Sequence, residues 1–248
     1  MAKIPVALQL YTVRDETAKD FIGTLRRVAQ IGYVGVEFAG FGDLTAAELK
    51  SVIGDLGLSP VSAHVGMEAL EEGAILDYLT EVGCPYVAVP WMPQELREDA
   101  AGWRNVAQRM TAIGAKTQAK GITLCYHNHA FEFEKFDGQY GLDILYGNSD
   151  PSLVQAELDL YWVQKGGESP AAYVSKFAGR DPLLHLKDMA PDGNFTEVGT
   201  GIIDWDAVFA AAPGAGTTWY IVEQDSCQRP TLESVEISFN NLKARGIA

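Results

Sequence analysis

All four histidines of this 248-residue chain close short apolar runs. His64 ends PVSAH, His127 and His129 end GITLCYHNH, and His185 follows the apolar start of PLLHLKD. Asp159 in VQAELDL and Glu223 in WYIVEQD sit the same way. A buried polar side chain costs free energy unless a partner satisfies it. Its repetition where many strands run out points to one site at one end of one sheet. Carboxylates suit hard ions such as Mg²⁺ or Mn²⁺, and imidazole shifts the preference toward Mn²⁺, Co²⁺ or Zn²⁺. Asp159, His185 and Glu223 are the core ligands this pattern predicts, with His127 as the fourth. Mn²⁺ meets the mixed set best, with Mg²⁺, Co²⁺ and Zn²⁺ as alternatives. Such an ion would hold adjacent oxygens of a sugar-like substrate. It would also stabilise the charge that grows on oxygen when a neighbouring carbon loses its proton, as an enediolate requires. A general base completes that proton transfer, and the candidates are Glu223, Glu157 and His129.

Alternating strand residues share a face. Glu157 with Asp159, His185 with Lys187, and Glu223 with Asp225 can therefore each aim two groups at the same point. Gln9, Glu37, His64, Lys187 and Trp91, also at strand ends, are expected to contact substrate. Lys187 has a second reading, neutralising Glu157 or Asp188. Phe38, Trp91 and Trp162 could form an apolar wall for a sugar's C–H face. Glu132, just beyond YHNH, is close enough in sequence to swing into the site.

These groups must be positioned by elements that alternate along the chain. β-rich runs are IPVALQLYTV, YVGVEFAG, SPVSAHV, CPYVAVPW, ITLCYHNH, LVQAELDLYWV, LLHLKDM and TWYIVEQD. Between them, apolar residues recur at helical spacing over about 17–31, 45–56, 68–82, 98–120, 142–148, 169–178 and 204–213, with a closing helix over 231–246. Thr45 and Glu48 have capping-box spacing, and Gly32, Gly57 and Gly121 read as stops. Strict β/α alternation implies a parallel sheet. Eight such units in 248 residues predict an α/β fold, a single (β/α)₈ TIM barrel forming one domain over 1–248. An open doubly wound sheet is the alternative, but TVRDETAKD after the first strand is not a phosphate-binding glycine fingerprint.

The chain is 47% hydrophobic, which supports a sizeable core. It has no apolar run of about 18 residues, so no membrane span is expected. The opening MAKIPVALQLYTVRDE reads as a first strand rather than a signal peptide. The three cysteines, Cys84, Cys125 and Cys227, are widely spaced and read as small hydrophobes in a reducing cytoplasm. The net charge of −14 repels nucleic acid and anionic lipid, although a metal or a local lysine could still admit a phosphorylated substrate.

At these residues the chain resembles the xylose-isomerase-like TIM-barrel superfamily, the sugar phosphate isomerase/epimerase group. The likeness is carried by LQLYTVRDE, GYVGVEF, YHNHAFEF, ELDLYW, HLKDM, VGTGIIDWDAVF and VEQD. The resemblance implies a divalent metal held by Glu, Asp, His and Glu from four strands. Asp159, His185 and Glu223 match three of these, and the last Glu also serves as a base in the epimerases. His127 stands where the first Glu is expected. Either His127 replaces that ligand, or Glu132 reaches back, or the metal is bound weakly or not at all. The implied activity is isomerisation or epimerisation of a small sugar or keto-sugar, phosphorylated or not. An inosose-dehydratase-like lyase acting on a cyclic polyol or keto-sugar is the alternative, and a carbohydrate-binding barrel without catalysis is a third. Barrels of this type commonly pair, which makes a homodimer a candidate assembly. The endonuclease branch needs more histidines and a basic surface, which this chain lacks.

Overall fold

A computed structural model describes residues 3–248. Met1 and Ala2, which begin the segment read as no signal peptide, lie outside them. Eight strands form one sheet: β1 (Val6–Gln9), β2 (Gly35–Phe38), β3 (Ser59–Ala63), β4 (Tyr86–Val89), β5 (Thr123–His127), β6 (Val154–Asp159), β7 (Leu183–Leu186) and β8 (Trp219–Val222). Neighbours pair in parallel in the order β3-β2-β1-β8-β7-β6-β5-β4. A bridge between His64 and Ala88 joins the two outer strands and closes the ring. The architecture is the expected (β/α)₈ barrel, with α1 (Phe21–Ile31), α2 (Ala46–Asp55), α3 (Ala74–Val82), α4 (Ala100–Ala119), α5 (Gly141–Asn148), α6 (Pro170–Lys176), α7 (Trp205–Ala215) and α8 (Thr231–Ala244) following the strands. None of the described helices is long and apolar enough to cross a membrane.

Local chemistry sets the boundaries. Asp20 caps α1 through the Gly23 N–H, and Gly32 at φ 123° ends it. Thr45 and Glu48 form the reciprocal capping box at α2. Three segments differ from the sequence expectation. The first strand stops at Gln9, because the Gln9 side chain accepts from Tyr11 N and starts a 3₁₀ turn over Leu10–Val13. The sixth stops at Asp159, whose carboxylate accepts from Trp162 N and starts the helix Leu160–Lys165. There a cap overrides the β preference of an aromatic run. The third helix is broken by Gly73, which sits at φ 84° between Met67–Glu72 and α3.

The barrel interior is layered. Ala7, Val61, Ala88, Cys125, Leu183 and Ile221 form an apolar floor. Two residues further along β1, β5, β7 and β8 stand Gln9, His127, His185 and Glu223, on the same face. Cys84 and Cys125 are buried and all three cysteines are free thiols.

After β7 the chain turns into a short ribbon, Asp188–Met189 against Phe195–Thr196. The buried Asp188 carboxylate gathers the loop beyond it. It accepts from Met189 N at 2.8 Å, Gly199 N at 2.9 Å, Gly201 N at 3.0 Å and Trp205 Nε1 at 2.8 Å. A Cβ at Gly201 would meet Asp188 Oδ1 at 2.2 Å, so glycine is required there for close approach. Asp188→Asn places a donor among donors and should cost about 2–4 kcal/mol of stability. Urea denaturation measures this, and an unchanged midpoint would show that the loop does not depend on the carboxylate.

Candidate active site

The polar groups meet where barrel active sites form, at the C-terminal ends of the strands. One suitable atom from each of His127, Asp159, His185 and Glu223 lies within 4.8 Å of the others, and all four residues are buried. They come from β5, β6, β7 and the end of β8. The four expected ligands are thus brought to one point. Asp159 is turned there by its own cap: Oδ1 accepts from Trp162 N at 3.0 Å, which leaves Oδ2 for the site. Asn128, between the two inward histidines of YHNH, locks the strand ends together. Its Oδ1 accepts from Asp159 N at 3.0 Å. Asn128 is absent from the residues expected from sequence, although its outward position in an H-N-H alternation is the signal that marks it.

A second tier lies below. Glu157 Oε1 sits 2.7 Å from His64 Nε2 and 3.1 Å from His127 Nδ1. Glu37 Oε2 accepts from Gln9 Nε2 at 2.7 Å and lies 2.8 Å from His185 Nε2. Gln9, Glu37 and Glu157 were expected to face substrate or act as base. They are fully buried and absent from the cavity lining, as are Asp159 and His185. Phe38, expected in the pocket wall, packs in the core.

Lys187 is 1% exposed. Its Nζ lies 2.8 Å from Asp159 Oδ2, 2.9 Å from Glu223 Oε2 and 2.9 Å from Asp225 Oδ1. It therefore neutralises these three carboxylates and neither Glu157 nor Asp188. The cavity measures about 410 Å³. Its mouth carries Tyr11 at 44% and Trp91 at 51% exposure, unusually open for large aromatics. His64, His127, His129, Lys187, Glu223 and Asp225 line its polar side. Trp162 packs 5.2 Å from the His129 ring, which itself stacks on Phe131.

The field splits groups of one type. Burial disfavours charge on His64, but Glu37 and Glu157 outweigh it and push its pKa up to about 10. Burial likewise opposes charge on His185, and the same two carboxylates with Glu223 raise it. Burial depresses His127, aided by the neighbouring His185 and His64. His129 falls to about 3 through burial and Lys187. Burial raises Asp159 to about 6 against the pull of Lys187. Burial also opposes ionisation of Glu223, but Lys187 and His185 hold it well below the usual carboxylate range.

The donor set fits a divalent cation. Glu157 Oε2 and Glu37 Oε1 are buried without a hydrogen-bond partner among the described residues, and Asp159 Oδ2 has the Lys187 ammonium at 2.8 Å. His127 Nε2 faces Asp159 Oδ2 at 3.7 Å, beyond hydrogen-bond reach. Two imidazoles and two carboxylates converging with unused lone pairs can hold a metal. Glu132 takes no part. Its oxygens accept from Tyr126 Oη at 2.8 Å and His129 N at 2.7 Å.

A family model described as xylose isomerase-like TIM barrel matches residues 25–244. The chain belongs to this family. Within it, an inosose dehydratase of Geobacillus kaustophilus is 25% identical over 244 residues, spanning 81% of this chain and 79% of that protein. An inosose dehydratase of Clostridium beijerinckii is 28% identical over 125 residues, 43% of this chain and 41% of that protein. A solved sugar phosphate isomerase/epimerase from Parabacteroides distasonis superposes with a TM-score of 0.89 at 26% identity, over 100% of this chain and 96% of that one.

Burial raises the Glu132 carboxyl of this xylose isomerase-like barrel to about 8 from an ordinary 4.5. Between these values the folded chain keeps a proton that the unfolded chain releases, so stability falls as pH rises through that window. Glu132→Gln keeps both contacts, its oxygen accepting from His129 N and its amide donating to Tyr126 Oη. The variant should match wild type near pH 4 and exceed it above pH 8, by up to a few kcal/mol at ~1.4 kcal/mol per pKa unit. Thermal melts across pH 4–9 check this, and parallel curves for the two proteins would contradict it.

Proposed function

We propose that this barrel catalyses proton transfer beside the carbonyl of a small, uncharged keto-sugar, as a divalent-metal-dependent isomerase or epimerase. The observation that carries the reading is the convergence of His127, Asp159, His185 and Glu223, of which His127 and Glu223 line the cavity beside His129. When bound, a divalent cation would polarise adjacent substrate oxygens and offset the charge that develops on them. The remaining chemistry belongs to the chain. Glu223, held ionised by Lys187 and His185, is the base that accepts the carbon-bound proton. His129 is neutral and reaches the cavity from β5, three strands round the ring from β8. It is placed to handle a proton on the other side of the substrate. Tyr11 and Trp91 offer apolar faces to C–H groups at the mouth. Lys187, whose three donors face Asp159, Glu223 and Asp225, holds those carboxylates in place around the substrate.

The charge balance supports an unphosphorylated substrate. Among the described residues no arginine lines the cavity, and its one ammonium, Lys187, is already ringed by three carboxylates. Apart from the divalent cation itself, a phosphate would meet Glu223 and Asp225 with no unpaired ammonium or guanidinium among the described cavity residues. A second reading, dehydration of a cyclic polyol ketone, is favoured by the inosose dehydratase that matches 81% of the chain. It uses the same proton abstraction and then expels a neighbouring hydroxyl.

Products separate the two readings. Deuterium incorporated from solvent without loss of water supports isomerisation, and a conjugated ultraviolet-absorbing product supports dehydration. Neither, across a panel of ketoses and inososes with Mn²⁺, Mg²⁺ and Co²⁺, would refute both. Glu223→Gln should lower turnover by about 10²–10⁴-fold with unchanged circular dichroism, and near-wild-type turnover would remove Glu223 as the base. A neutral ketose should outperform its phosphate ester in kcat/KM. The reverse order would overturn the uncharged-substrate reading alone.

A further inference from the structure

Gln9, Glu37 and Glu157, buried behind the ligand cluster, form a scaffold with His64 of the cavity wall. His185 turns Nδ1 toward Glu223 at 2.9 Å and Nε2 toward Glu37 at 2.8 Å. His127 turns Nδ1 toward Glu157 at 3.1 Å and Nε2 toward Asp159. In each ring one nitrogen faces the upper carboxylates and the other rests on a lower one. A histidine ligand must offer a bare nitrogen, and a carboxylate behind the ring keeps the proton on the far one. Glu37 is itself fixed. Tyr11 N donates to Gln9 Oε1 at 3.0 Å, which settles the amide orientation, and Gln9 Nε2 then donates to Glu37. His64 Nε2 spans the pair, 2.7 Å from Glu157 and 3.2 Å from Glu37. Both glutamates are fully buried and outside the cavity lining, so substrate does not reach them.

We propose that Glu37 and Glu157 are positioning residues for the cation site, Glu37 fixing His185 and Glu157 fixing His127, with His64 clamping the two carboxylates together. The proposal rests on the reading of the upper cluster as a metal centre. A rival placement exists: ligand atoms of His64, His127, Glu157 and His185 also lie within 4.8 Å of one another. An ion there would bind Glu157 directly and leave Asp159 and Glu223 outside its sphere. His127 decides between them: its Nδ1 is within hydrogen-bond reach of Glu157 at 3.1 Å, while its Nε2 stands 3.7 Å from Asp159 Oδ2, which favours a proton on Nδ1 and a bare Nε2 turned to the upper cluster.

The test is calorimetric titration of the chelator-treated full chain with Mn²⁺, beside the visible spectrum of the Co²⁺-loaded protein. Glu37→Gln and Glu157→Gln should each weaken Mn²⁺ binding by about 10–100-fold, keep the wild-type stoichiometry and shift the Co²⁺ bands, while Asp159→Asn weakens binding further. If a glutamate variant fails to melt cooperatively, Gln9→Met, which removes the donor behind Glu37, should weaken binding in the same direction. Wild-type affinity and an unmoved Co²⁺ spectrum in these variants overturn the positioning roles alone. Loss of binding in Glu157→Gln with none in Asp159→Asn places the ion below and overturns the proposal. A wild-type chain that takes up no Mn²⁺ overturns the metal reading on which it rests.

Discussion

Buried charge that must be balanced within a narrow barrel is the constraint that organises this molecule. Glu37, Glu157, Asp159 and Glu223 all lie in the barrel end, shielded from solvent, and Lys187 is the one permanent cation among them. Each ion withdrawn from water costs several kcal/mol unless partners compensate. The compensation is mutual: Lys187 bridges Asp159, Glu223 and Asp225, and His64 and His185 lie between carboxylates. Removing any one member leaves a neighbour uncompensated, so these residues stand or fall as a group. The acidic excess also explains why the cluster suits a divalent cation, whose charge would complete the balance.

The same constraint gives four chemically identical side chains different states. His64 and His185 lie against carboxylates and are pulled toward the charged form. His127 and His129 feel burial and nearby positive charge, and stay neutral. Placement within the barrel, not residue type, thus sets the charge of each ring, and a cation at the upper cluster would have to displace a proton from His185.

The support for that placement lies partly outside the site. The apolar floor stands two residues before His127, His185 and Glu223 on their strands. Asn128 ties β5 to β6 at the point where His127 and Asp159 meet. Asp188, one residue past Lys187, anchors the loop beyond β7. Isomerisation and dehydration both begin with loss of a carbon-bound proton, so the two proposed readings make the same demand on this scaffold. The fate of the resulting enolate depends on the groups that face the departing hydroxyl.

Much of this was legible in the sequence, because strand residues alternate faces and apolar runs reveal strands. Eight alternating units implied the barrel, and the strand-end positions of His127, Asp159, His185 and Glu223 implied a shared site. The Thr45–Glu48 cap was readable because its contacts are local. Sequence could not separate the upper tier from the lower. Gln9, Glu37 and Glu157 carry the same inward signal as His127, Asp159, His185 and Glu223, and which of these groups meet depends on how the strands close round the ring. Nor could it assign Lys187 to Asp159, Glu223 and Asp225, or withdraw Glu132 to Tyr126 and the His129 backbone. Periodicity fixes which way a side chain points. Only closure of the ring fixes its depth and its neighbours, because those contacts join residues far apart in the chain.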